Sequence, residues 1–178
     1  MPDAPPGSPA LVPAAAPLAF LLGTWRGRGR GFFPTIEPFE YVEEIEHWHV
    51  GKPFIGYQQR TRHAETQLPL HGESGFWRVG TPAEQLEARM AAGEPLAIEG
   101  TIAQPAGFCE ILVGELQFTG AGQRLTMTST VTRTPTAKDV SEIERIIEVD
   151  GDVLRYTLRM AAMGHPLQDH LEAELHRG

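Results

Sequence analysis

The sequence is poor in cysteine, since Cys109 is the only one among its 178 residues. A single cysteine excludes an internal disulfide framework and fits a reduced, cytoplasmic setting. No apolar run approaches the ~20 residues that a membrane-spanning helix requires. The Pro- and Ala-rich start also lacks the basic segment and continuous apolar core of a signal peptide. We interpret residues 1–17 as a flexible tail and residues 18–178 as one domain.

Positive charge is also scarce. The formal net charge is −8 and the sequence pI is about 5.3, which argues against nucleic acid or an anionic membrane as a partner. The exception is the stretch GTWRGRGRGFFPTI, residues 23–36, which carries Arg26, Arg28 and Arg30.

Long amphipathic helices are missing too, and period-two alternation is common instead. A short apolar turn, LAFLLG at residues 18–23, comes first and is expected to plug a core. Eight to ten short segments follow, joined by tight turns such as Asp150-Gly151-Asp152. This pattern predicts an all-β antiparallel meander, and closure into a barrel would remove its edges and could enclose one small ligand. The apolar faces consist of Leu96, Ile98 and Ile102; Leu112, Leu116 and Phe118; Leu125, Met127 and Val131; Ile143, Ile147 and Val149; and Leu154, Tyr156, Leu158 and Met160.

The glycine-rich stretch is best explained as a strand. It lacks the Lys-Ser/Thr of a phosphate-binding loop, and two prolines follow where a dinucleotide fingerprint would open a helix. Alternation places the glycines and Trp25 on one face and the arginines on the other. Glycine in a strand allows another backbone, a ring or a bend to come close. The face consists of Gly23, Trp25, Gly27, Gly29 and Gly31.

Five segments in order give the chain a resemblance to a known family. GTWRGRGRGFFPTI, FEYVEEIEHWHVGKPFIGYQQRT, HGESGFWR, TRTPTAKDV and MAAMGHPLQDHLEAELHR resemble segments of the nitrobindins. The resemblance runs from about Leu18 to Arg177. It implies a ten-stranded antiparallel up-and-down β-barrel with a short N-terminal helical turn, similar in shape to fatty-acid-binding proteins. It also implies one heme b per chain, held at the barrel mouth by one histidine.

The resemblance also implies which residues form the site. It implies His170, in PLQDHLEAEL, as the iron ligand and Lys138 as a cation beside the heme. Leu70 or His71 is expected near the other face of the heme. Thr35 and Met160 could line the pocket. The simpler interpretations are that Thr35 is a turn residue and that Met160 fills the core. The implied activity is isomerisation of peroxynitrite to nitrate by ferric heme, with nitric oxide as a further ligand.

Alternation conflicts with the expectation for His170. It shares parity with Glu172 and Glu174, which would place it in water. Either His170 is the first residue of its strand, before regular pleating begins, or its side chain points into a partly wet mouth. We favour the first explanation, because Pro166 ends a loop just upstream.

Other histidines keep alternatives open. His47 and His49 share a strand face and could form a metal site with a carboxylate such as Glu73 and a third histidine, although a plain surface pair is commoner. His165 could compete as a ligand, and His63 and His176 are expected to be exposed. Two other functions remain: a fatty-acid-type lipid carrier that uses interior arginines, and a heme-based nitric oxide sensor. The oligomeric state is open, a homodimer included.

Overall fold

The alternating segments form ten antiparallel strands in the computed structural model, which describes residues 9–178. Residues 1–8 of the predicted tail lie outside the described residues. No helix among residues 9–178 is long and apolar enough to cross a membrane. The strands are β1 (Gly23–Phe33), β2 (Ile36–Trp48), β3 (Ile55–His63), β4 (Pro69–Val79), β5 (Leu96–Gln104), β6 (Phe108–Thr119), β7 (Gly122–Arg133), β8 (Val140–Asp150), β9 (Val153–Ala162) and β10 (His165–Arg177).

Each strand pairs with its neighbours in sequence, and β1 also pairs with β10. That last pairing closes the sheet into a barrel without a free edge. The predicted ten-stranded up-and-down architecture is therefore confirmed. One face of each strand packs inside the barrel. Residues such as Leu112, Leu125 and Leu154, which the alternation assigned to the apolar face, are almost wholly buried.

One end of the barrel is sealed by a 3-10 helix, Pro13–Leu21, in which Leu18 and Leu21 are fully buried. The indole Nε1 of Trp25 donates to the Leu21 carbonyl at 2.8 Å. The Arg177 guanidinium lies 4.0 Å from the Trp25 ring centroid and donates to the Phe20 carbonyl at 2.8 Å. The predicted helical plug is confirmed, and it begins before residue 18.

The β1 glycines permit close approach, as the strand interpretation expects. A Cβ on Gly27 would collide with the carbonyl oxygen of Glu174 on β10. A Cβ on Gly29 would collide with the ring of Tyr41. These glycines therefore allow β1 to pack tightly against its neighbours rather than bind a phosphate.

One helix, α1 (Ala83–Ala92), follows β4 and was not predicted. Only Leu86 of this helix is buried, so no helical hydrophobic period marks it. It ends at Gly93, whose φ of 67° lies in the left-handed region that suits a helix C-terminus. The helix contacts the 3-10 helix and β5, at the sealed end.

Candidate functional site

The opposite end of the barrel is open and gathers all six residues predicted to bind a cofactor. This end carries the β1–β2, β3–β4, β5–β6, β7–β8 and β9–β10 connections. It also exposes apolar side chains, including Leu68 and Met163, which are 64% and 58% exposed. The six residues are Thr35 in the β1–β2 turn, Leu70 and His71 at the start of β4, Lys138 between β7 and β8, Met160 near the end of β9, and His170 in β10.

A β-bulge in β10 determines the direction of the His170 side chain. On β10, Asp169 pairs with Arg159 and Leu171 pairs with Leu158, so His170 is an extra residue opposite β9. The favoured explanation, that His170 is the first residue of its strand, is wrong, because β10 begins at His165. The extra residue breaks the alternation, and His170 is half-buried instead of lying on the outer face.

The His170 ring is oriented by the end of β1. Its Nδ1 lies 2.8 Å from the Phe32 carbonyl oxygen, which can only accept, so Nδ1 carries the proton. Burial lowers the pKa of His170, with the charge of Lys138 acting in the same direction against the Phe32 hydrogen bond. His170 is thus a neutral imidazole whose Nε2 has a free lone pair.

Phe33 separates His170 from His165. Its ring packs edge-on against both imidazoles, with centroid separations of 5.5 Å for His170 and 5.6 Å for His165. Met160 packs against the same apolar cluster. His165 also borders a cleft of about 560 Å³ on the rim, next to Met163; His170 does not line that cleft.

His71 lies across the barrel from His170. Three strands separate β4 from β10 in one direction and five in the other. The His71 side chain is 36% exposed, and its Nε2 lies 3.8 Å from Oε2 of Glu73. Leu70, Thr35 and Lys138 are exposed on the rim.

Below this mouth, a buried ionic network lies inside the barrel. Arg145 donates to Glu73 through Nη1 at 2.7 Å and to Glu110 through Nη2 at 2.5 Å. Gln104 donates to the same two carboxylates at 2.5 and 2.6 Å. Burial alone would raise the pKa of Glu73, but the Arg145 charge and hydrogen bonds including that of Tyr57 hold it well below its usual range. Glu73 is therefore a buried carboxylate that stays ionised.

Glu43, on β2, is also buried but accepts no hydrogen bond from a charged side chain. It accepts from Tyr156 at 2.9 Å and from Gln59 at 2.7 Å, and Tyr156 is bonded to Tyr41 at 2.7 Å. Burial raises the pKa of Glu43 to about 7, despite the hydrogen bonds from Gln59 and Tyr156.

The alternative metal site is not assembled. His47 is buried at the sealed end, where it pairs with Gly23, and burial followed by the Arg177 charge lowers its pKa to about 3. Glu73 belongs to the interior network instead. Among residues 9–178, no group of three or more His, Cys, Asp or Glu side chains could hold a metal ion.

Several residues that build the site escaped the sequence analysis. Phe32 and Phe33 orient His170, and nothing in their pattern indicates this role. The inward position of Arg145 could have been predicted from the sequence, because Arg145 alternates in phase with the apolar residues Ile143 and Ile147. A charge on an apolar face requires a buried partner, which Glu73 and Glu110 supply.

Comparison with known proteins identifies the family. Residues 14–177 match the profile of the THAP4-like, heme-binding β-barrel domain. The chain belongs to this family, the nitrobindins. It is similar to peroxynitrite isomerase 2 of Mycobacterium avium, with 46% identity over 94% of this chain and 96% of the relative. Peroxynitrite isomerase 1 of Mycobacterium tuberculosis is 44% identical over the same shares. The crystal structure of Rv2717c from M. tuberculosis superposes with a TM-score of 0.84 at 44% identity, covering 95% of this chain and 99% of that one.

The residues of this nitrobindin fit the cofactor that its family binds. A neutral imidazole with one nitrogen held by a backbone carbonyl and the other free is the form in which histidine ligates iron. Phe33 packs against this imidazole, and exposed apolar side chains such as Leu68 and Met163 lie at the same end of the barrel. Heme is a largely apolar ring. The family match confirms heme as the cofactor, while the stoichiometry of one heme b per chain and the individual residue roles stay predictions.

Proposed function

We propose that this nitrobindin binds heme through His170 Nε2 and that its ferric form isomerises peroxynitrite to nitrate. Support comes from the family and from relatives that carry the name peroxynitrite isomerase. The observation that carries the assignment of His170 is its Nδ1 bond to the Phe32 carbonyl. That bond leaves Nε2 as the free nitrogen at the open end.

The chain's own residues would have three tasks. The Phe32 carbonyl holds the His170 ring in one tautomer and one orientation. Burial keeps that imidazole neutral and able to donate a lone pair. Lys138, on the rim, offers a cation to the carboxylate groups of heme. Bound ferric heme supplies the Lewis-acid iron at which peroxynitrite rearranges to nitrate, a reaction that consumes no other reagent.

Stopped-flow decay of peroxynitrite tests this activity. The ferric, heme-loaded chain should accelerate the decay in proportion to its concentration and shift the products from nitrite towards nitrate. His170→Ala, supplied with the same heme, should lose the acceleration, whereas His176→Ala should keep it because His176 is 62% exposed at the far end of β10. If peroxynitrite decayed no faster with the heme-loaded wild-type chain than in buffer alone, the proposed activity would be refuted.

The two other functions are not favoured. A lipid carrier would need an interior arginine free to hold a carboxylate, but Arg145 is already bound by Glu73 and Glu110. Arg26 and Arg30 lie on the outer face in ion pairs with glutamates. A nitric oxide sensor would bind ligand without accelerating peroxynitrite decay, so the same kinetic experiment distinguishes it.

We also propose self-association through the outer face of β4–β6. Phe76, Thr101 and Ile111 form one uncharged row across these strands, and Phe76 and Ile111 are each 50% exposed. One self-complementary patch suffices for a two-fold dimer. Light scattering should give a dimer mass for the wild type and a monomer for Ile111→Glu. A monomeric wild type at about 100 μM, far above typical dissociation constants of stable dimers, would refute it.

Cysteine usage supports a cytoplasmic setting for the chain. Cys109, near the start of β6, is an exposed free thiol. Such a thiol persists in a reducing compartment. Chain isolated from cells with Cys109 already oxidised would argue against this placement.

A further inference from the structure

Glu73 collects more contacts than a structural ion pair needs. It is 7% exposed, and its Oε1 accepts from Tyr57 at 2.6 Å and from Arg145 at 2.7 Å. Its Oε2 accepts from Gln104 at 2.5 Å and from Arg145 Nη2 at 3.2 Å. These four donors fix the carboxylate in place on the inner face of β4.

The fourth residue beside the Glu73 carboxylate is His71. The two residues are two apart on β4, so both side chains face the barrel interior, and His71 lies one step nearer the mouth. His71 Nε2 is the nitrogen that faces Glu73 Oε2, at 3.8 Å. The backbone of His71 is also fixed, since its N–H donates to Thr61 Oγ1 at 3.1 Å.

The charge of Glu73 determines which nitrogen of His71 holds the proton. An ionised carboxylate only accepts, so a proton on Nε2 faces an attractive partner and a lone pair on Nε2 would face a repulsive one. Neutral His71 is then protonated at Nε2 and unprotonated at Nδ1. His170 has the opposite tautomer, because its Nδ1 donates to the Phe32 carbonyl.

We propose that Glu73 is a positioning residue that holds His71 in the Nε2–H tautomer and leaves its Nδ1 as a proton acceptor at the mouth. The mouth then presents two imidazoles with different tasks: a free Nε2 on His170 to bind iron, and a free Nδ1 on His71 to accept a proton from a ligand. This second task depends on the proposed heme function, whereas the tautomer of His71 does not.

Histidine ¹⁵N NMR of the heme-free chain tests the tautomer. The two ring nitrogens of neutral His71 should report Nε2–H and a bare Nδ1, with the signals assigned by their loss in His71→Phe. Glu73→Gln should shift His71 towards a mixture of tautomers, since an amide offers both an N–H and a carbonyl. Glu174→Gln is the matched control: it alters another Glu–His pair, with His176 at 3.3 Å, and should leave His71 unchanged.

A wild-type His71 that is mainly Nδ1–H would overturn the proposal, even if Glu73→Gln failed to fold. An unaltered His71 in folded Glu73→Gln would do the same. Neither result bears on heme binding, which an absorption spectrum of the loaded wild type decides separately.

Cyanide binding to the ferric, heme-loaded chain tests the consequence. Hydrogen cyanide releases its proton as cyanide binds, so an acceptor at the mouth accelerates association. Association should be roughly tenfold slower or more in Glu73→Gln and in His71→Phe. The double variant should be no slower than His71→Phe alone, because Glu73 acts through His71. Equal rates in the wild type and Glu73→Gln, or a further slowing in the double variant, would overturn the proposal.

Discussion

The two ends of this barrel differ in how deeply their side chains are buried. At the sealed end, Leu18 and Leu21 of the 3-10 helix are fully buried together with Trp25 of β1, and Arg177 of the last strand donates a hydrogen bond to the helix. At the open end, the six side chains proposed to bind heme are half-buried or exposed, and a bulge displaces His170 from the regular pleat. The barrel therefore separates stability from chemistry, and changes at one end should leave the other largely intact.

A second contrast lies inside, between two buried carboxylates. Glu73 has an arginine partner and stays ionised, whereas Glu43 has only neutral donors and a raised pKa. Equal burial therefore has opposite electrostatic results, depending on whether a cation faces the carboxylate.

The largest effect on stability is expected from Trp25→Ala at the sealed end. Trp25 is fully buried, packs under Arg177 and bonds to Leu21, so truncation should cost about 3–5 kcal/mol of unfolding free energy in urea. Trp48→Ala is the control, since Trp48 is 38% exposed, and it should cost far less. The heme spectrum per folded Trp25→Ala molecule should stay unchanged; a selective loss of heme would break the separation of the two ends.

Glu43 should give the next largest effect, as a dependence of stability on pH. Its pKa is about 7 when folded, against 4.5 for an unperturbed glutamate, so the folded state binds the extra proton between these values. The contribution of Glu43 to the free energy of unfolding should fall as pH rises from 4.5 to 7, by roughly 3 kcal/mol in total. It is read as the difference between the wild-type and Glu43→Gln curves, because the lowered pKa of His47 raises the stability of both proteins over part of this range. Urea unfolding of Glu43→Gln from pH 5 to pH 8 should lack this fall.

Glu46→Gln is the matched control for that experiment, because Glu46 is exposed on the same strand. It should follow the wild-type curve. If Glu43→Gln followed it too, Glu43 would titrate normally and the contrast with Glu73 would disappear.

Lys138→Gln should have the smallest effect, confined to the open end. A rim cation paired with a heme carboxylate contributes at most about 1 kcal/mol, or roughly fivefold in heme affinity, and less at high salt. Lys52→Gln is the control, since the other lysine of the sequence is exposed at the sealed end. Heme titration at low and high salt measures the heme affinity of both variants. Equal affinities at low salt would show that Lys138 does not contact heme.

Much of the fold could be predicted from the sequence because alternation is a local property. The inward parity of Leu96, Ile98 and Ile102 needs no knowledge of other strands. Alternation alone indicates eight to ten segments, and the family resemblance sets the number of strands at ten. Helix α1 was missed because a helix with one buried side chain has no hydrophobic period.

The site was harder to predict because it depends on pairing between distant strands. Alternation placed His170 in water, and only the pairing of Asp169 with Arg159 and Leu171 with Leu158 reveals the bulge. The Phe32 carbonyl lies 138 residues away in sequence, and a backbone oxygen has no sequence signature. The interior charge of Arg145, by contrast, follows from simple parity.

Heme titration followed by absorption spectroscopy tests the central claim most directly. The wild-type chain should develop a Soret band that saturates at one heme per chain. His170→Ala should lose this band, while His176→Ala should match the wild type and His165→Ala should retain it. A Soret band of unchanged position and affinity in His170→Ala would contradict the assignment of His170 as the iron ligand.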